Sequence, residues 1–210
     1  MPEAWAKERR HDYYYRKAKE EKYRSRATYK LLQAVKRYRF MKEGDIVLDL
    51  GSTPGGWLQA ARRIVGKKGF VLGVDLKVTK PLDSANVHTL VGDITTTETQ
   101  ALIERILPGK ADVVASDVSP NISGVWEVDH ARQIDLARES LKLAMKLLKK
   151  DGSFFVKAFQ GDMFQDFVGE VRNHFARVEI IKPEASRSES AEVFILGMSL
   201  KKREAFLNAC

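Results

Sequence analysis

Cysteine is almost missing from this chain: the only one among its 210 residues is Cys210. A lone thiol excludes an intramolecular disulfide and fits a reducing compartment. Histidine is nearly as scarce. His11, His88, His130 and His174 stand far apart, with no metal-ligand spacing among themselves or to Cys210, so no metal site is expected. No run approaches the ~18 apolar residues that span a bilayer. The first ten residues lack the apolar stretch of a secretory signal. The expectation is a cytoplasmic protein with no membrane partner. Repeats and low-complexity tracts are absent, and 44% apolar with 30% charged residues excludes extended disorder. The length suits one α/β domain and is too short for two ordinary enzymatic domains.

What the chain does have is charge in one place. Residues 1–42 hold 14 basic and 5 acidic side chains, a net of +9, whereas residues 43–210 hold 22 and 23, a net of −1. A nearly neutral globule with a strongly basic leading segment points to a polyanionic partner. Residues 1–24, with Tyr13-Tyr14-Tyr15-Arg16-Lys17 at their centre, read as a loosely held or adherent basic arm. Residues 25–210 read as a single domain that opens with a basic helix. In that helix, from Ser25 to about Met41, the residues Ala27, Leu31, Ala34, Val35 and Tyr38 recur at helical spacing, and Gly44 is expected to end it.

Beyond Gly44, short apolar runs alternate with helical stretches. Strands are expected at 46–50, 70–75, 87–91, 111–116, 153–157, 176–181 and 192–200. Helices are expected at 54–65, 97–107, 131–148 and 163–173. Strands alternating with helices imply an α/β fold with a doubly wound, mainly parallel seven-stranded sheet. Only a loop, 182–191, joins the last two strands, so they are antiparallel neighbours.

Ligands of open α/β sheets sit beyond the carboxyl ends of the strands, and here those ends carry distinctive residues. The first strand runs into Asp49-Leu50-Gly51-Ser52-Thr53-Pro54-Gly55-Gly56-Trp57, a turn whose glycines let the backbone approach a ligand. The dinucleotide pattern G-x-G-x-x-G is missing, which disfavours a nicotinamide oxidoreductase, and no Lys or Arg in the loop could grasp a phosphate. Asp75 ends the second strand, where an acid binds ribose hydroxyls. Gly92-Asp93 follows the third, placed to accept from an adenine amino group. A nucleoside without phosphates favours S-adenosylmethionine as the cofactor.

The fourth strand leads into Ser116-Asp117-Val118-Ser119-Pro120-Asn121, and the fifth ends at Lys157. Burying an ammonium is costly. A lysine at the end of an apolar strand either pairs with an acid or serves as a general base, because desolvation disfavours its charged form.

Five segments in order resemble the FtsJ/RrmJ family of RNA ribose 2′-O-methyltransferases. They are Arg24-Ser25-Arg26-Ala27-Thr28-Tyr29-Lys30-Leu31; Asp49-Leu50-Gly51 with Pro54-Gly55-Gly56-Trp57; Ser116-Asp117 with Pro120-Asn121 and Ser123-Gly124; Lys157-Ala158-Phe159-Gln160-Gly161; and Lys182-Pro183 through Ser190 and Glu192. The resemblance implies a Rossmann-like methyltransferase fold and a catalytic tetrad of Lys30, Asp117, Lys157 and Glu192. Lys157 would take up the 2′-hydroxyl proton, Asp117 would orient it, Lys30 would add positive potential and Glu192 would position the ribose or the lysines. The cofactor set would be Asp49, Gly51, Pro54, Gly55, Gly56, Trp57, Asp75, Asp93 and Asp117. Glu189, three residues before Glu192, is an acid outside the family pattern and is expected to be solvated.

The implied substrate is a uridine of large-subunit ribosomal RNA, within the subunit or its precursor, with the protein acting as a monomer. The alternatives are a transfer-RNA anticodon-loop enzyme of the same family and a non-catalytic RNA-binding protein of this fold. RNA contacts are expected from Arg24, Arg26, Arg37 and Arg187, with Lys17, Lys19, Lys22, Arg39 and Ser186 beside them. Tyr13, Tyr14 and Tyr15 are candidates for stacking on unpaired bases.

Overall fold

Runs such as Ile46–Leu50 and Val113–Ala115 are apolar at nearly every position, which suits strands covered by helices on both faces. The computed structural model describes residues 12–187 and 189–201; the start of the expected arm and Cys210 lie outside them. The elements in chain order are α1 (Tyr13–Glu20), α2 (Thr28–Tyr38), β1 (Ile46–Leu50), α3 (Gly56–Val65), β2 (Phe70–Asp75), β3 (Val87–Val91) and α4 (Thr97–Ile106). They continue with β4 (Ala111–Ser116), α5 (Trp126–Leu147), β5 (Leu148–Phe159), α6 (Phe164–His174), β6 (Phe175–Ile181) and β7 (Glu192–Leu200).

The strands form one sheet in the order β3-β2-β1-β4-β5-β7-β6. The first five run parallel, and β7 inserts antiparallel between β5 and β6. Strand order reverses between β1 and β4, which makes their carboxyl ends the crevice for a ligand. Two apolar cores cover the sheet. On one face α2 and α3 bury Leu31, Ala34, Trp57, Leu58 and Val65 against Val47, Phe155 and Phe194. On the other, α4, α5 and α6 bury Ile103, Ile134, Leu141 and Phe167 against Leu48, Val114 and Phe154.

Several boundaries differ from the sequence expectation. Helix α2 ends at Tyr38, not Gly44, because Arg39 adopts a left-handed φ of 53° and its N–H closes onto Val35. Helix α3 starts at Gly56, two residues after the expected Pro54: Gly55 takes a φ of 107°, and the Thr53–Pro54 bond is cis. Helix α5 is five residues longer at its start than expected, since Asp129 ties Ser123 and Gly124 into a turn that feeds it. It stops at Leu147, one residue before the expected end at Leu148. Residues 149–152 bulge out of the ladder, where pairing to β4 jumps from Leu148 to Ser153.

The described part of the expected arm lies against the domain. Ala18 of α1 is buried with Tyr29 and Ala185. Asp12 caps α1 by accepting from the Tyr15 N–H and also pairs with Arg26.

Candidate active site

A cavity of about 270 Å³ opens at the carboxyl ends of β1, β2 and β4, lined by Gly51, Asp75, Asp93, Asp117, Val118 and Asn121 among others. Its size is near the lower end of small-molecule sites, roughly 300–1,000 Å³. Gly51 is required here: its φ is 79°, and a Cβ would lie 2.8 Å from the Val118 nitrogen. Asp75 holds the rim, accepting from Thr53 N–H at 2.9 Å and from Lys77 N–H at 2.8 Å. Asp93 accepts from both the N–H and the hydroxyl of Thr95. Asp49 lies just before this rim on β1, fully buried, with neither carboxylate oxygen hydrogen-bonded. Burial, and then Asp117 and Asp75, push its carboxyl well above the ordinary carboxylate range.

The rest of the expected cofactor loop does not line this cavity. Trp57 is a core residue: its indole N–H donates to the Ala27 carbonyl at 2.8 Å, and its ring stacks 5.6 Å from Phe155. Gly56 makes room for Ser25 and Thr28, whose hydroxyls an added Cβ would strike. Gly55 faces Arg24 in the same way, and Pro54 accepts from the Arg24 guanidinium at 3.3 Å. These residues lock α3 to the start of α2. The sequence pattern could not separate ligand contact from helix packing, since both favour glycine.

Two ion pairs flank the ends of β5 and β7. Lys157 is buried; its Nζ donates to the Asp117 main-chain oxygen at 2.9 Å and lies 2.9 Å from Asp117 Oδ1. Lys30, in the first turn of α2, reaches Glu192 Oε1 at 2.6 Å and sits over the Phe194 ring. Register links the two pairs: Lys157 stands opposite Phe194, and Glu192 lies two residues from Phe194 on the same face of the sheet. Asp117 belongs to both features, since it also lines the cavity. Ser186 donates its hydroxyl to Glu192 at 3.0 Å.

Beside Lys30 and Glu192 lies a second opening of about 500 Å³, lined by Arg24, Arg26, Pro54 and Arg187. Two of these arginines are partly committed within the molecule. Arg24 donates to the carbonyls of Pro54, Lys80 and Pro81, and Arg26 pairs with Asp12 and donates to the Ala185 carbonyl at 2.8 Å. Burial and then Arg187 hold the Arg26 guanidinium below its ordinary value. Arg187 and Arg37 are exposed. Tyr14 packs on Tyr29 at 5.4 Å, accepts from Gln33 and donates to Glu184. Glu189 is exposed.

Sequence reasoning missed Gln133. Buried in α5, its amide N–H₂ donates to the carbonyls of Val118 and Lys157, at 3.2 and 3.1 Å. It therefore ties the loop after β4 to the end of β5, the two segments that carry Asp117 and Lys157. The signal was present: a polar residue in the apolar stripe of His130, Ile134 and Ala137. Among the described residues, no group of three or more His, Cys, Asp or Glu could hold a metal ion.

A seven-stranded sheet with β7 reversed, and an acid-rimmed cavity at its switch point, define a Rossmann-like methyltransferase. The sequence model of the family described as FtsJ-like methyltransferase matches residues 23–200. The chain belongs to that family. A relative from Methanococcus maripaludis strain C7, named Ribosomal RNA large subunit methyltransferase E, is 49% identical over 205 residues, covering 98% of this chain and 80% of the relative. A relative of the same name from Methanocaldococcus jannaschii is 50% identical, over 91% of this chain and 80% of the relative. A crystal structure of a ribosomal RNA methyltransferase from Plasmodium falciparum superposes with a TM-score of 0.75 at 25% identity, covering 85% of this chain and 98% of that one.

Proposed function

We propose that the protein uses S-adenosylmethionine to methylate a ribose 2′-hydroxyl of large-subunit ribosomal RNA. The carrying observation is the Lys157–Asp117 pair at the edge of the cavity, beside the Lys30–Glu192 pair on one sheet face. The names of the relatives support the ribosomal substrate.

The cavity residues suit the cofactor. Three carboxylates, Asp75, Asp93 and Asp117, line it against one lysine, Lys77, so a nucleoside bearing positive charge fits better than a phosphate. Asp75 would hold the ribose hydroxyls, Asp93 the adenine amino group, and the bare Gly51 backbone permits close approach. When bound, S-adenosylmethionine supplies a methyl group already made electrophilic by its sulfonium.

The chain's own work is then positioning and proton handling. Lys157 takes up the 2′-hydroxyl proton, and Asp117 fixes its Nζ through two oxygens. Lys30 contributes positive charge that stabilises a developing alkoxide. Glu192, itself anchored by Ser186 and Lys30, orients the ribose. Arg26, Arg37 and Arg187 take the phosphates, in a protein that works as a monomer in the cytoplasm.

The test incubates purified protein with tritiated S-adenosylmethionine and RNA from a strain lacking it. Label resistant to alkaline cleavage at one large-subunit nucleotide is the expected result. Label confined to transfer RNA would move the substrate, and absence of label from every RNA would overturn the reading.

A further inference from the structure

Exposed large apolar side chains are not scattered evenly. Ile122, Val125, Trp126 and Val128 fall within seven residues, and Trp126 keeps 46% of its surface open. This stretch continues the loop whose Asp117, Val118 and Asn121 line the cavity, so it borders the reaction centre.

The tryptophan is held in place. Its ring lies parallel to His130 at 5.7 Å and 19°, and to Phe159 at 6.1 Å and 22°. Phe159 follows Lys157 by two residues and stands opposite Glu192 in the β5–β7 ladder. His130 is buried, accepts at Nε2 from the Met163 N–H, and packs so tightly on Gly161 that a Cβ there would lie 2.8 Å from the ring. Asp129 accepts from the Ser123 N–H and hydroxyl and from the Gly124 N–H, which fixes the loop before Trp126. Hydrogen bonding, chiefly from the Ser123 N–H, keeps the Asp129 carboxyl below its ordinary value, so this clamp is charged at neutral pH.

We infer that Trp126, backed by His130 and Phe159, is a stacking platform for an unpaired base of the RNA substrate next to the methylated ribose. The inference rests on the RNA 2′-O-methyltransferase reading and adds to it the residue that positions the substrate base. Single-stranded RNA is recognised by stacking splayed bases on aromatic rings. A platform whose rings are already fixed costs little conformational entropy on binding. The apolar flanks Ile122, Val125 and Val128 suit a base face, whereas the phosphates are left to the arginines beside Lys30.

The experiment compares wild type, Trp126→Ala and Trp126→Phe in steady-state methylation of large-subunit RNA. In parallel, a short single-stranded RNA is titrated against tryptophan fluorescence. Trp126→Ala should raise KM for RNA about ten-fold or more, with calorimetric binding of S-adenosylmethionine unchanged. Trp126→Phe should recover most of that loss. The oligonucleotide should quench wild-type fluorescence more than that of Trp126→Phe. An unchanged KM in Trp126→Ala overturns the platform while leaving the methyltransferase reading intact. If wild type methylates no RNA, that reading falls separately, and the quenching comparison still decides whether a base stacks here. Weaker binding of Trp126→Ala to ribosomal particles with normal KM on naked RNA would assign the patch to a protein and overturn the inference.

Discussion

Lys157 shows how one side chain's environment sets its task. Its buried Nζ is satisfied because Asp117 supplies a carboxylate and a carbonyl within 2.9 Å. Lys157→Ala should lower the methyl-transfer rate by at least 10²-fold, the usual scale for removing a general base. Calorimetric S-adenosylmethionine binding should persist, because Lys157 does not line the cavity. Equal turnover of variant and wild type would remove the base assignment. Asp49 yields a prediction of opposite character. Its folded-state value is raised by burial and by Asp117 and Asp75, so the folded protein holds a proton that the unfolded chain releases. Stability from this group is fully present below the unfolded carboxylate value near 4. It is lost as pH rises toward the folded value, at up to roughly 1.4 kcal/mol per pH unit. Asp49→Asn should therefore melt at a higher temperature than wild type above about pH 5, with the gap closing on acidification. A gap that widens in acid would contradict the sign. Lys157 was legible as an oddity in an apolar strand, whereas the unpaired state of Asp49 was not, since it depends on what surrounds β1.

Among the elements, α2 carries the largest functional burden. Its inner face packs Leu31 and Ala34 into the core, and its first turn delivers Lys30 to Glu192, 162 positions away in the chain. The junction with α3 fixes that delivery through Gly56 and Trp57, both expected as cofactor contacts and both found in the packing. Gly56→Val would wedge Ser25 and Thr28 outward. We expect a stability loss of about 1–3 kcal/mol, read as a lower melting temperature, together with a fall in methyl transfer as Lys30 shifts. Retained melting temperature and activity would show the junction to be slack. The helix periodicity marked the apolar face of α2 correctly but not its end. Arg39 turns left-handed five residues before Gly44, the residue that composition would choose.

At the scale of the whole molecule, the charge asymmetry takes a definite form. Part of the leading basic segment serves the fold: Arg24 holds the 80–81 loop and Arg26 joins Asp12 to the 185 turn. Arg37 and Arg187 remain exposed, Arg187 at the opening beside Lys30. The double change Arg37→Glu with Arg187→Glu should weaken RNA binding most at low salt. It should also reduce the slope of log K against log salt by about 0.7 for each phosphate that the variant no longer neutralises. An unchanged slope would clear both residues of a role at the phosphates. The sequence by itself determined the alternating α/β order, the reversed last strand and the acids at successive strand ends, because these follow from local periodicity and short connections. It also singled out Lys30, Asp117, Lys157 and Glu192 by resemblance. Only the tertiary structure decided which glycines line a cavity and which admit a helix, which arginines are already engaged, and that Gln133 and Trp126 stand close to the segment carrying Lys157. Those outcomes depend on contacts between residues distant in the chain, and neither spacing nor composition records what lies across a sheet or under a loop.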